Sequence, residues 1–128
     1  GLISTLAPII AGGNSVIVLA SQMKAISAVS FGEVIQNSDV PSGVVNILTG
    51  EGQELLPHMA SHLDVNALVI ARSGVDLKEL MVASENVKRL IHWSAISTEQ
   101  DPYKILDTQE VKTTWHPVQE SASSGGGY

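Results

Sequence analysis

Two glycines, Gly50 and Gly52, follow a β-branched run and precede a helix-forming stretch. That order leaves open backbone where a phosphate can approach amide groups and a helix N-terminus. As a bare Thr49-Gly50-Glu51-Gly52 string the signal is weak, because an ordinary glycine turn is its commoner cause. A second constellation is Glu54, His58 and His62, spaced i, i+4 and i+8, which a continuous helix would line up as a zinc-like set. Pro57 interrupts that pattern, so the expected metal set is none. His92 and His116 have no partner at ligand spacing, and Glu51 and Glu54 read as solvated carboxylates at a helix start. The absence of cysteine excludes disulfides, thiolate zinc sites and a thiol nucleophile within these residues. Trp115, in the alternating segment K-T-T-W-H-P, reads as a packing anchor on the domain or across an interface.

The elements that must position these residues alternate. Residues 2–11 read as a helix stopped by Gly12-Gly13, and Ser15 to Ala20 as a short strand. Met23 to Gln36 fits an amphipathic helix with Ile26, Val29, Val34 and Ile35 on its apolar face. Pro41-Ser42-Gly43 supplies a turn into a second strand, Val44 to Leu48. A short helix at 53–61 follows, with Pro57 expected in or near its first turn, where a missing N–H does least harm. Asn66 to Ala71 is a third strand, and Asp76 to Trp93 reads as the longest helix, with Leu77, Leu80, Met81, Val87, Leu90 and Ile91 on one face. The order α-β-α-β-α-β-α implies a parallel sheet with right-handed crossovers. Ser97 to Asp107 reads as a polar connection, Gln109 to His116 as an edge strand, and Ser121 to Gly127 as a disordered low-complexity tail.

At 128 residues, 44% hydrophobic and 16% charged, the composition is that of a folded soluble domain. With aromatics at 4%, the core must be aliphatic, which suits strands covered by helices on both faces. The formal net charge of −6, without a Lys/Arg cluster, gives no electrostatic footprint for nucleic acid. The apolar run Leu2 to Ile10 lacks a basic flank and is too short to span a membrane or to act as a convincing signal peptide. The expectation is a cytoplasmic protein with no nucleic-acid or membrane partner.

Four stretches resemble the aldehyde dehydrogenase family. Ala11 to Val18 is similar to its A-A-G-N-T-V-V-V, the helix-to-strand passage of the cofactor domain. Asp39 to Gly50 (D-V-P-S-G-V-V-N-I-L-T-G) resembles G-L-P-P-G-V-V-N-V-V-T-G without a gap and is the most specific match. His62 to Ala67 resembles H-P-D-V-D-x, and Ala83 to Arg89 resembles A-S-x-N-L-K-R. The similarity runs in collinear order over about residues 2–91. It implies a three-layer Rossmann-like α/β module with a short parallel sheet and flanking helices over 1–95, followed by an extended tail strand over 96–120 and a Ser/Gly tail over 121–128. The tail also resembles those of the tandem, cysteine-poor branch of the family and implies pairing between subunits.

The resemblance makes Ser21, Gln22, Gly50, Gly52 and Ser73 the candidate contacts to NAD or NADP. Departures from the pattern weaken that set. The family's ribose-holding Lys and Glu, in V-V-V-K-P-S-E, correspond to Leu19 and Gln22, and Leu offers no donor while Gln offers only a neutral bond. The family's F-T-G-S becomes Ile70-Ala71-Arg72-Ser73, which puts a side chain where backbone should approach the pyrophosphate. That arginine obstructs the ligand or pairs with a phosphate. Where the family has its general-base Glu, in E-L-G-G-K, this chain reads His92-Trp93-Ser94-Ala95, and the nucleophilic Cys of the catalytic domain is not among these residues. The expected function is therefore a truncated, non-catalytic aldehyde dehydrogenase-like protein, a pseudoenzyme with weak or lost cofactor binding. It would act as a structural or regulatory subunit in a homo-oligomer or beside a full-length aldehyde dehydrogenase. The alternative is the NAD(P)-binding half of an aldehyde oxidoreductase whose thiol comes from another chain. An independent α/β binding domain is a third reading that no residue supports.

Overall fold

The computed structural model describes residues 1–72, 74, 75, 80, 81, 85, 87–93 and 101–117. Helix α1 (Leu2–Ala11) ends at Gly12 and Gly13, and Gly13 takes φ 80°, a conformation that spares a glycine the Cβ clash. Strand β1 (Val16–Leu19) follows, then a 3-10 turn (Gln22–Lys24) and helix α2 (Ala25–Gln36). The turn at Pro41 closes with the Val44 amide donating to the Pro41 carbonyl, and Gly43 supplies the φ of 83° that it needs. Strand β2 (Val45–Leu48) then runs parallel to β1, with Val16 opposite Val45 and Leu19 opposite Leu48. Helix α3 (Gly52–Ser61) leads to strand β3 (Ala67–Ile70), and strand β4 (Arg89–His92) pairs parallel to it, Ala67 opposite Arg89. A short helix α4 (Tyr103–Asp107) is the last element among the described residues. The result is a mixed α/β arrangement with two parallel strand pairs, β1-β2 and β3-β4.

The core cluster joins α3 to β3. Leu56 and Ala60 meet Leu68 and Ile70, with Leu80 completing the group and Met59 and Val75 packed on it. Burying each of the larger side chains contributes on the order of 2 kcal/mol. Leu6 and Ile9 of α1, and Trp93 after β4, are buried as well.

Several elements differ from expectation, each for a physical reason. The long helix expected over Asp76 to Trp93 does not reach Trp93, because Arg89–His92 is the strand β4. Val87 sits at φ 54°, a left-handed conformation in which a β-branched residue cannot continue a helix. Beyond it Lys88 is held by the His62 and Val65 carbonyls, which sets the chain beside β3. Leu77 and the remaining residues of 76–79 lie outside the described residues. Met81 and Val87, expected on the buried face, are exposed.

The apolar face expected on α2 is also turned. Ile26, Val29 and Val34 are exposed while Ala28 is buried. The helix approaches β2 through small residues, since a Cβ on Gly32 would lie 3.7 Å from Ile47 Cδ1. Pro57 stands at the sixth residue of α3 rather than in its first turn, and the helix continues through it. Within the expected polar connection, Tyr103–Asp107 is helical. No strand forms over 109–117, so the expected edge strand is absent from those residues of the monomer. The low-complexity tail lies outside the described residues.

Candidate functional site

The strand ends determine where chemistry can gather. Parallel strands deliver their following loops to one edge, and in open α/β sheets ligands bind outside those carboxyl ends. Here β1 leads to Ser21 and Gln22, β2 to Gly50, Glu51 and Gly52, and β3 to Arg72. A cleft of about 1570 Å³ is lined by residues that include Gln22, Gly50, Gly52 and Arg72.

Ser21 caps the 3-10 turn with extended backbone, its carbonyl accepting from the Lys24 amide at 2.9 Å. The Gln22 side chain crosses to the next loop, where Nε2 donates to Glu51 Oε1 at 2.8 Å. Glu51 is the N-cap residue of α3 but makes no side-chain cap bond, so its carboxylate is turned to Gln22 instead. Its carbonyl accepts from the Glu54 and Leu55 amides, at 3.2 and 3.1 Å. The Gly52 and Gln53 amides precede those first helical bonds, as at any helix start.

Both glycines sit where a side chain would collide. A Cβ on Gly50 would fall 2.8 Å from Leu55 Cδ1, and one on Gly52 would fall 2.8 Å from Arg72 Nη1. The Arg72 guanidinium thus occupies the open face of Gly52, placing a cation beside the partly positive start of a helix. Such a combination matches an anionic ligand better than a neutral one. Arg72 supplies a charge of the kind a phosphate pairs with, at the face of Gly52 that its guanidinium fills.

Four candidates, Ser21, Gln22, Gly50 and Gly52, are among the residues that line the cleft. Ser73 lies outside the described residues. Glu51, read from the sequence as a solvated carboxylate at a helix start, is exposed at the N-cap of α3 and also accepts from Gln22. Its place just after the second strand, between two glycines, was the available signal.

The segment after β4 departs from expectation in another way. Trp93 is only 7% exposed, and its Nε1 donates to Asp107 Oδ2 at 3.0 Å, with Lys104 Nζ 5.9 Å from the ring centroid. A carboxylate therefore reaches this point from α4, bound to an indole. Of the histidine set, His58 lies within α3 and His62 caps its end, with Nδ1 accepting from the Asp64 amide at 3.3 Å. Among the described residues no three metal-ligating side chains come together. Among them, too, no helix is long and apolar enough to cross a membrane.

The geometry is that of an α/β unit with glycine turns at the ends of parallel strands, and its sequence relatives agree on what kind. The chain belongs to the aldehyde dehydrogenase family, whose model matches residues 2–94. It is similar to the NADP/NAD-dependent aldehyde dehydrogenase PuuC of Escherichia coli (strain K12), at 32% identity over 87 residues, 66% of this chain and 18% of that protein. A mitochondrial aldehyde dehydrogenase of Leishmania tarentolae gives 32% over 87 residues, again 66% and 18%. The chloroplastic betaine aldehyde dehydrogenase of Beta vulgaris gives 30% over 79 residues, 62% and 16%. The chain thus spans less than a fifth of the length of these relatives. No solved structure matches it significantly.

Proposed function

We propose that this chain is the dinucleotide-binding portion of an aldehyde dehydrogenase-family oxidoreductase, and that the aldehyde chemistry is not carried by its own residues. The observation that carries this reading is Arg72 lying over Gly52 at the first turn of α3. A cation and open helix amides there suit the pyrophosphate of NAD or NADP. When bound, such a cofactor supplies the hydride acceptor; the chain's part is to bind and orient it. In this reading residues 1–95 form one half of a three-layer Rossmann-like domain in the complete enzyme. The lack of its own chemistry is supported by the stretch where the family resemblance expects a general-base carboxylate: it holds the buried indole of Trp93, and the carboxylate that reaches it from α4, Asp107, accepts the indole N–H.

Calorimetric titration of NAD and NADP into the purified chain tests this. Micromolar binding without aldehyde oxidation by the chain alone is expected, and no binding at millimolar cofactor would overturn it.

A second reading, a structural or regulatory subunit of a homo-oligomer or of a full-length aldehyde dehydrogenase, draws on Trp115. It is 90% exposed in a stretch that forms no strand within the described residues. Strand addition to a second subunit would cover it. A strict monomer at high concentration, measured by light scattering, removes the homo-oligomeric form. Failure to co-purify with a full-length aldehyde dehydrogenase removes the other.

A further inference from the structure

Among the described residues the two strand pairs share no ladder, yet β1 and β3 both line the cleft. A ladder would hold neighbouring strands about 4.8 Å apart, and without one the spacing is set by whatever packs across the gap. On one face that is α3, which follows β2 in the chain and buries Leu56 and Ala60 against Leu68 and Ile70 of β3. Side chains alternate along a strand, and Leu68 stands opposite Leu90 in the parallel register. Arg89 and Trp93 therefore belong to the other face, away from α3.

On that face three consecutive residues, Asp107, Thr108 and Gln109, reach both sides of the gap. Toward β4, Asp107 Oδ2 accepts from Trp93 Nε1 at 3.0 Å, and the Thr108 and Gln109 carbonyls accept from the Arg89 guanidinium. Toward α1 and β1, Gln109 Nε2 donates to the Gly12 carbonyl at 2.6 Å, and Asn14 Nδ2 donates to Thr108 Oγ1 at 3.3 Å. Thr108 is only 4% exposed, and its hydroxyl in turn donates to the Ile105 carbonyl of α4 at 3.1 Å. A buried hydroxyl that both donates and accepts is a satisfied part of a packed junction. These three residues lie beyond 2–94, the part that matches the family, so the junction is made by a segment outside the family's pattern.

We propose that Asp107, Thr108 and Gln109 form a clasp that fastens β1-β2 to β3-β4 on the face opposite α3, and that its release lets the cleft widen with α3 as the hinge side. The clasp does not depend on the dinucleotide reading. It gives the chain a closed and an open form whose balance rests on a few polar bonds, each of modest net worth. A ligand that touches both strand pairs and the closed clasp then favour one another, whatever that ligand is.

The test uses the whole 128-residue chain, which has no cysteine, so that Ile17→Cys and Leu90→Cys put one spin label on each strand pair at exposed positions. Double electron–electron resonance reads the distance between the labels in the otherwise natural chain, with Thr108→Val, and with Asp107→Ala and Gln109→Ala together. Circular dichroism confirms that each variant is folded. The otherwise natural chain should give one narrow distance, and both sets of changes should lengthen and broaden it. Amide exchange should become about tenfold faster in β1 and β4 together, in keeping with the loss of one or two hydrogen bonds, while α3 stays protected. If the paired change unfolds the chain, Thr108→Val, which keeps the side-chain shape, decides alone. An unchanged distance in a folded variant overturns the clasp. So does exchange that rises equally throughout the chain, because residues 107–109 would then add stability without setting the spacing.

Discussion

The Arg72 guanidinium lies against the Cα of Gly52, so close that a β-carbon there would meet Nη1 at 2.8 Å. Residues twenty positions apart in the chain thereby share one point at the edge of the cleft. Whether that contact attracts a phosphate or bars it has a measurable sign.

Replacing Arg72 with Ala should weaken NAD binding by about tenfold, the worth of one charge-assisted phosphate contact. The salt dependence of binding should flatten in the same variant, because a charge has been removed. Titrations at two ionic strengths check both. Tighter binding by the variant would mean that the arginine obstructs the site and would favour the structural-subunit reading.

A complementary change is Gly52→Ala. The added methyl meets only the far end of a flexible side chain, and alanine suits the first turn of a helix better than glycine. Thermal stability should hold or rise by up to about 1 kcal/mol, whereas cofactor binding should fall because the methyl displaces the Arg72 guanidinium from the helix start. A melting curve and a titration on the same preparation separate the two effects. Unimpaired binding would show that the glycine serves only the turn.

The two tryptophans predict a divided fluorescence signal. Trp93 is buried against Asp107, whereas Trp115 is exposed. Trp115→Phe should leave a blue-shifted emission resistant to acrylamide. Trp93→Phe should leave a red-shifted emission that is readily quenched, at a cost of about 1 kcal/mol for the lost indole bond. Trp93→Ala, which also empties the site, should cost about 3–5 kcal/mol in urea denaturation.

Coupling between the first helix and the late segment is open to a double-mutant cycle. Gln109 Nε2 donates to the Gly12 carbonyl at 2.6 Å, Asn14 Nδ2 donates to Thr108 Oγ1 at 3.3 Å, and Arg89 donates to the Gln109 carbonyl. A Cβ on Gly12 would run into the Gln109 amide. Gly12→Ala should therefore cost about 1–2 kcal/mol by itself and less in a Gln109→Ala background. Strict additivity of the two changes would show that residues 108–109 are not docked on α1.

Much of the strand framework was legible because it is written locally. The runs around Val16–Leu19, Val45–Leu48 and Ala67–Ile70 are short, apolar and bounded by turn residues, and glycines at positions 13 and 43 sit where positive φ is needed. Val87 to Ile91 misled because the apolar spacing there continues that of a helix. What ends that pattern is the backbone of Val87 and the pairing of Arg89–His92 with β3, a contact across some twenty residues that periodicity does not contain. The orientation of α2 was illegible for a similar reason. Spacing finds an apolar stripe, but Ala28 and Gly32 permit a closer approach to β2 than Ile26 or Val34 would.

The sequence by itself determined the family and the glycine turns at the strand ends, because those are runs of adjacent residues whose types match a pattern without reference to anything distant. It also determined where the chain departs from the family's pattern, at Leu19, Gln22 and Arg72. Only the tertiary structure decided what the replacements do to one another. Gln22 finds Glu51, Arg72 finds Gly52, and Trp93 finds Asp107, each partner lying on a different element. The first pair follows from the ladder that sets β1 beside β2, and the other two from packing between elements that share no ladder, neither of which any local run of side chains contains.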